Sequence, residues 1–158
     1  MKELTHIDKA GRPKMVDISS KAQTERQAVA KGTVSMKVAT LDLIKQGKTK
    51  KGEVLVTAQL AGIMAAKRTP ELIPLCHPIL IDEIKVEFEL DENNSTIEIT
   101  ATAKSTGKTG VEMEALTATA IAALTIYDMC KAVDRGMKIE NIRLVHKSGG
   151  KSGKITLE

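Results

Sequence analysis

A strand, then helices, then two strands about a tight turn, then a long helix and a final strand: this order predicts an α+β protein. It is the split β-α-β pattern of a ferredoxin-like sandwich, an antiparallel sheet with helices packed on one face. Two further observations support a single such unit. The chain of 158 residues is long enough to bury one core, and it shows no internal repeat. Residues 1–14 are polar, contain Gly11 and Pro13, and read as a flexible N-terminal arm; 15–158 read as one ferredoxin-like catalytic domain.

The elements follow in order. Met15–Ile18 reads as a short strand and Ser19–Arg26 as a polar link. Gln27–Lys37 alternates well enough for a strand. Ala39–Lys45 is a short helix stopped at Gly47, and Glu53–Lys67 a longer one, with positions 56, 59, 60, 63 and 64 forming one face at helical spacing. Thr69 and Pro70 suit a new helix start, because Pro in the first turn lacks only an N–H that would be unpaired anyway. Pro74–Pro78 cannot be regular helix, since each Pro pushes its predecessor toward extended backbone. Ile79–Leu90 and Thr96–Lys104 form a hairpin about Asp91–Asn94. Val111–Val133 is the long helix, ended by Gly136; Lys138–His146 is the last strand, and Lys147–Gly153 a flexible basic segment.

Composition excludes several classes. Lys and Arg exceed Asp and Glu by 24 − 20 = 4, a mild excess that suits a phosphate-bearing small molecule. With Phe88 and Tyr127 as the sole aromatic residues, bases have no stacking platform, which argues against nucleic acid. Two cysteines are too few for a disulfide framework. The N-terminus lacks an apolar leader, and the uncharged run Ala115–Tyr127 is shorter than the roughly 20 residues a bilayer demands. A cytoplasmic protein with no membrane contact is expected, and no cofactor motif is present.

The ionisable residues gather at the two ends of the long helix. Three Gly-Lys-Ser/Thr tripeptides start at Gly47, Gly107 and Gly150, but a P-loop needs a further glycine where Asp42, Thr102 and Val145 stand. Gly107–Gly110 nevertheless opens a helix, where exposed N–H groups attract anions. Thr109 and Glu112 have the spacing of a capping box, which predicts that Glu112 bonds back to the backbone. Asp128 and Lys131 lie roughly 60° apart around the axis. They read either as a solvated pair of little consequence or, given the apolar residues around them, as a lysine poised for proton transfer near neutral pH. Cys76, His77 and Cys130 have no zinc spacing, so no metal is expected; His77 on its proline-rigidified loop suits binding or proton transfer.

Pro74–Pro78, Thr106–Leu116, Tyr127–Ala132 and Lys147–Gly153 together resemble the molybdenum cofactor biosynthesis protein C family, the cyclic pyranopterin monophosphate synthases. The similarity runs from Leu4–His6 and Met15–Asp17 to the end of the chain. It implies a homohexamer, a trimer of dimers, with sites at the dimer interfaces. The implied substrate is a GTP-derived triphosphate, 3′,8-cyclo-7,8-dihydroguanosine 5′-triphosphate; the implied products are cyclic pyranopterin monophosphate and pyrophosphate. By matching position, Asp128 and Lys131 would be an acid/base pair and Lys51 a second basic catalytic group. Leu75, Cys76, His77, Met113 and Glu114 would contact substrate, with Glu112 both cap and site residue. Asp17, Lys21 and Arg26 would close over the phosphates. Ring opening, ring closure and loss of pyrophosphate need proton transfers and positive charge, and no redox cofactor. The rival readings are a non-catalytic nucleotide-carrying module and an RNA-binding domain, the second disfavoured by the missing aromatics.

Glu112 and Asp128 are 16 residues apart in sequence, roughly 24 Å along a helix at about 1.5 Å per residue. One compact site cannot use both ends of one straight helix: either one end is structural, or two copies of the chain bring a start and an end together, and the second is expected. Sedimentation of the purified protein is expected to show a dimer or larger; a folded, active monomer would refute this.

Overall fold

The computed structural model describes residues 6–8 and 10–158. Its elements are β1 (Thr24–Ser35), α1 (Val38–Lys45), α2 (Val54–Lys67), α3 (Thr69–Leu72), β2 (Glu83–Asp91), β3 (Thr96–Gly107), α4 (Glu112–Cys130), β4 (Lys138–Ser148) and β5 (Ile155–Thr156). The sheet order is β2-β3-β1-β4-β5, with every pairing antiparallel. The first four strands have the ferredoxin-like order: β1 and β2 flank β3, and β4 returns to the far side of β1.

Alternation sets which face is covered. Ala28, Ala30 and Val34 of β1, Val86 of β2, and Ile97, Ile99, Ala101 and Ala103 of β3 are fully buried. Their neighbours on the other face, including Lys31, Thr33, Glu98, Thr100 and Thr102, are partly exposed. Helix α4 lies across β1, β3 and β4, and α2 packs beside it over β2. The β2–β3 turn is fastened by Asp91, whose Oδ1 accepts from the N–H groups of Asn93 at 2.9 Å and Asn94 at 3.1 Å.

Small residues decide how closely these layers approach. A Cβ placed on Gly32 would stand 2.9 Å from Thr119 Cγ2 of α4, and one on Gly62 would stand 2.9 Å from the Ala118 carbonyl oxygen. Helix α2 therefore buries Ala58, Gly62, Ala65 and Ala66 against α4. The face predicted from Val56, Leu60, Ile63 and Met64 is not the one it buries: Val56 is 61% exposed and Leu60 58%. Spacing marks an apolar stripe, but backbone approach to α4 selects the smaller side chains for the interior.

Several boundaries also differ from expectation. Met15–Ile18 forms no strand, and Thr24–Arg26, expected as link, is paired with Ser105–Gly107 as the start of β1. Ile79–Asp82 lies outside β2. Lys147 and Ser148, expected in a flexible tail, extend β4 beside Ala28 and Gln27. Of the N-terminal arm, residues 1–5 and 9 lie outside the described residues; Lys14 N–H bonds to the His6 carbonyl at 2.8 Å and Asp8 N–H to that of Arg12 at 2.9 Å, closing a small loop. Among the described residues, no helix is long and apolar enough to cross a membrane.

The Gly62 contact is with backbone and cannot be relieved by a rotamer change. Gly62→Ala is expected to destabilise the protein by about 1–3 kcal/mol, the usual cost of overpacking. Thermal unfolding checks this; an unchanged midpoint would show that α2 can withdraw from α4 without loss.

Candidate functional site

The first turn of α4 and the Pro74–Pro78 loop face one another across a recess of about 310 Å³. All six residues expected to contact substrate line it: Leu75, Cys76 and His77 from the loop, and Glu112, Met113 and Glu114 from the helix. Ile79, Thr109, Gly110 and His6 complete the wall. Each cluster is local in sequence, and the fold apposes them because the loop after α3 passes the end of β3 that feeds α4. Ser105 Oγ donates to the Leu80 carbonyl at 2.7 Å, and Asp82 N–H to that of Lys104 at 2.9 Å, tying the two segments.

Within the recess the acids differ. Glu114 is 2% exposed, and its Oε2 has no hydrogen-bond partner. Burial pushes its carboxyl up to about 7, partly offset by its own backbone N–H and reinforced by the charge of Glu112. Glu112 is partly exposed and pairs with Lys147 of β4. The expected capping box is absent. The cap position falls on Val111 with no side-chain hydrogen bond, so Glu112 sits in the first helical position, not the third, and is turned to the cation. Desolvation raises the Cys76 thiol, with a further upward push from Glu114. His77 Nε2 lies 2.7 Å from the Val16 carbonyl. A carbonyl can only accept, so Nε2 carries a proton, and Nδ1 is the acceptor of the neutral ring.

At the other end of α4, the loop before α2 carries Lys51 to the helix terminus. Lys51 Nζ donates to Asp128 Oδ2 and to its carbonyl oxygen, each at 2.8 Å, and Lys131 Nζ lies 2.6 Å from Asp128 Oδ1. The three expected catalytic residues are thus in direct contact. Hydrogen bonds from Lys131 and Lys51 hold the Asp128 carboxyl down to about 2, and the same contact raises Lys131. Of the two readings of this pair, the exposed one describes its surroundings: the Asp128 carboxylate, not an apolar wall, sets the Lys131 acidity. Both Lys131 and Asp128 are about half exposed, at 53% and 55%, so the carboxylate's attraction outweighs desolvation. In this arrangement Lys131 stays charged beside Asp128.

A third feature was legible only as a motif. A basic cavity of about 570 Å³ is lined by Lys21, Thr24, Arg26, Gly150, Lys151 and Ser152. Arg26 Nε donates to the Gly107 carbonyl at 2.8 Å, and Lys108 Nζ to that of Ser19 at 2.7 Å, joining this cavity to the loop that opens α4. Gly149 and Gly150 have φ of +98° and +69°, and a Cβ on Gly150 would overlap the Arg26 guanidinium. Positive φ favours glycine at both positions, and a Cβ on Gly149 would also overlap the Glu25 carbonyl oxygen. The sequence alone assigns no role to Lys147 and Lys151; the Gly-Gly pair between two lysines is the available signal. Asp17, expected over the phosphates, accepts from Ser19 N–H at 2.8 Å and is exposed. Among the described residues, no group of three or more His, Cys, Asp and Glu is placed to hold a metal ion.

Comparison with known proteins adds one consistent result. A model of the MoaC family matches residues 15–150. A protein of Roseiflexus sp. (strain RS-1) is 59% identical over 153 residues, 97% of each chain. One from Thermoanaerobacter pseudethanolicus is 61% identical over 150 residues, 95% of each, and one from Brucella ovis 60% identical over 151 residues, 96% of this chain and 92% of the other. All three bear the name cyclic pyranopterin monophosphate synthase.

Glu114 gives a pH test. Between the ordinary value of 4.5 and about 7, the unfolded chain has lost a proton that the folded chain keeps. Stability from this group is therefore complete below pH 4.5 and is lost as pH rises through 7. Glu114→Gln cannot ionise, so its stability relative to wild type is expected to climb across that window, by at most roughly 3 kcal/mol at about 1.4 kcal/mol per pH unit. Urea unfolding at about pH 5 and about pH 8 checks it; an equal difference at both would show that Glu114 ionises normally.

Proposed function

The chain belongs to the MoaC family, and from that premise we propose how its two charged ends divide the work of making cyclic pyranopterin monophosphate from a cyclised GTP derivative. The observation that carries the reading is the pairing of two unlike sites on one helix. A recess holds a buried acid of raised pKa, and an exposed carboxylate stands between two lysines.

The recess takes the base. Glu114, able to hold or release a proton near neutrality, faces the amino and ring N–H edge of the guanine-derived ring, which satisfies its unpaired Oε2. His77 accepts through Nδ1, and Leu75 and Met113 supply apolar walls. The basic cavity around Lys21, Arg26 and Lys151 takes the phosphates. Positive charge there stabilises pyrophosphate as it leaves the α-phosphorus and a sugar hydroxyl takes its place, closing the cyclic phosphate. Lys51, Asp128 and Lys131 carry the proton transfers that open the five-membered ring and close the pterin: an ammonium donates, and the carboxylate holds the second lysine ready to return the proton.

These groups cannot meet within one subunit, because α4 separates Glu112 from Asp128 by roughly 24 Å. The site is therefore completed by a second copy, in a hexamer built as a trimer of dimers. Val56, Leu60, Met64 and Leu124 support this reading: they are large apolar side chains about half exposed or more on neighbouring helices.

Turnover decides. Protein incubated with the cyclised triphosphate is expected to release pterin product and pyrophosphate in equal amounts. Lys51→Ala, Asp128→Ala and Lys131→Ala are expected to lower the rate by roughly 10²-fold or more. A Lys131→Ala protein that folds normally and keeps full turnover would remove the assignment. No product from intact wild-type oligomer would favour a nucleotide-carrying module instead.

A further inference from the structure

Asp134 lies three residues beyond Lys131 and is 1% exposed, yet it touches no part of the recess or the basic cavity. A carboxyl this deeply buried stays charged only where its oxygens are bonded. Oδ2 accepts from Lys37 N–H at 2.9 Å and Thr40 Oγ1 at 3.1 Å; Oδ1 accepts from Gly136 N–H at 3.1 Å, with Lys37 Nζ at 4.0 Å. These contacts, the Lys37 N–H foremost, hold its carboxyl below the usual range.

Two of those partners open α1, which has no side-chain cap of its own and no acid in its first turn. Asp134 therefore caps α1 from the far side of the fold, supplying the acceptor and the negative charge that a helix start favours. The consequence lies at the other end of α1. That helix is eight residues long, and after Gly47 the chain turns to deliver Lys51 Nζ to Asp128. A closed path results: the end of α4, Asp134, α1, the Lys51 loop, and back to Asp128. The α4 side of the path is stiffened by Asp134 N–H to the Cys130 carbonyl at 3.1 Å and by Tyr127 Oη to that of Arg135 at 3.1 Å.

We propose that Asp134 is a positioning residue for catalysis: by fixing the start of α1 to the end of α4, it sets where Lys51 meets Asp128. This rests on reading Lys51, Asp128 and Lys131 as the catalytic group. A misplacement of about 1 Å costs on the order of 10²-fold in rate, so the loss belongs in kcat.

The test measures kcat and KM for the cyclised triphosphate well below the unfolding midpoint. Asp134→Asn keeps the side-chain size but cannot accept on both sides. It is expected to lower kcat roughly 10- to 100-fold with KM changed by less than about twofold. Thr40→Val removes one hydrogen bond and leaves the charge; a several-fold loss in kcat is expected, restored by Thr40→Ser. If Asp134→Asn does not fold, the Thr40 pair carries the test. Full kcat in whichever of these variants folds, with only a lower unfolding midpoint, would make the contact purely structural and overturn the proposal. So would a raised KM at unchanged kcat. Asp128→Asn is measured alongside: if it keeps full turnover, the catalytic reading itself has failed, whatever Asp134 does.

Discussion

The close seat of α4 is the constraint on which the rest depends. Gly32 and Gly62 leave no space for a Cβ beneath and beside it, and its own inward positions are mostly Ala and Thr. Dispersion contacts fall off steeply with separation, so small residues at the contact gain packing that larger ones would forfeit by holding the backbones apart. Two consequences follow. Val56, Leu60 and Met64 of α2 are turned outward, leaving an exposed apolar stripe on that helix. A straight helix of 19 residues also becomes a rigid spacer between two chemically distinct ends.

Those ends illustrate how environment and not residue type sets acid strength. Glu114 and Asp128 are both carboxylates on α4. One has lost water without gaining a cation and is raised to about 7; the other keeps water, gains two ammonium groups and is lowered to about 2. A reaction that rearranges rings through successive protonations can use a weak acid that exchanges its proton near neutrality and a strong one that keeps Lys131 charged. Lys147 has a similar ordering role at the recess, since its pairing with Glu112 leaves Glu114 as the acid without a cation.

Much of this was legible in the sequence. The element order gave the strand topology, because alternation with period two and apolar spacing near 3.6 are imposed by the backbone itself. Local signals such as Pro74 and Pro78 and the Asn93–Asn94 turn fall in loops, and the Gly107–Gly110 opening begins at the end of β3. The capping box misled because Thr-x-x-Glu is only a spacing, and a helix start two residues later turns the glutamate from a cap into a partner for Lys147.

By itself, then, the sequence determined the order of elements, the family, and which short segments carry chemistry: these rest on neighbours along the chain. Tertiary structure alone decided which face of α2 is buried, that Lys51 reaches Asp128 across 77 residues, that Glu114 is dry, and that Asp134 spans 94 residues to cap α1. Each of these depends on distances between segments remote in sequence. Desolvation and pairing energies vary steeply with such distances, and no local pattern encodes them.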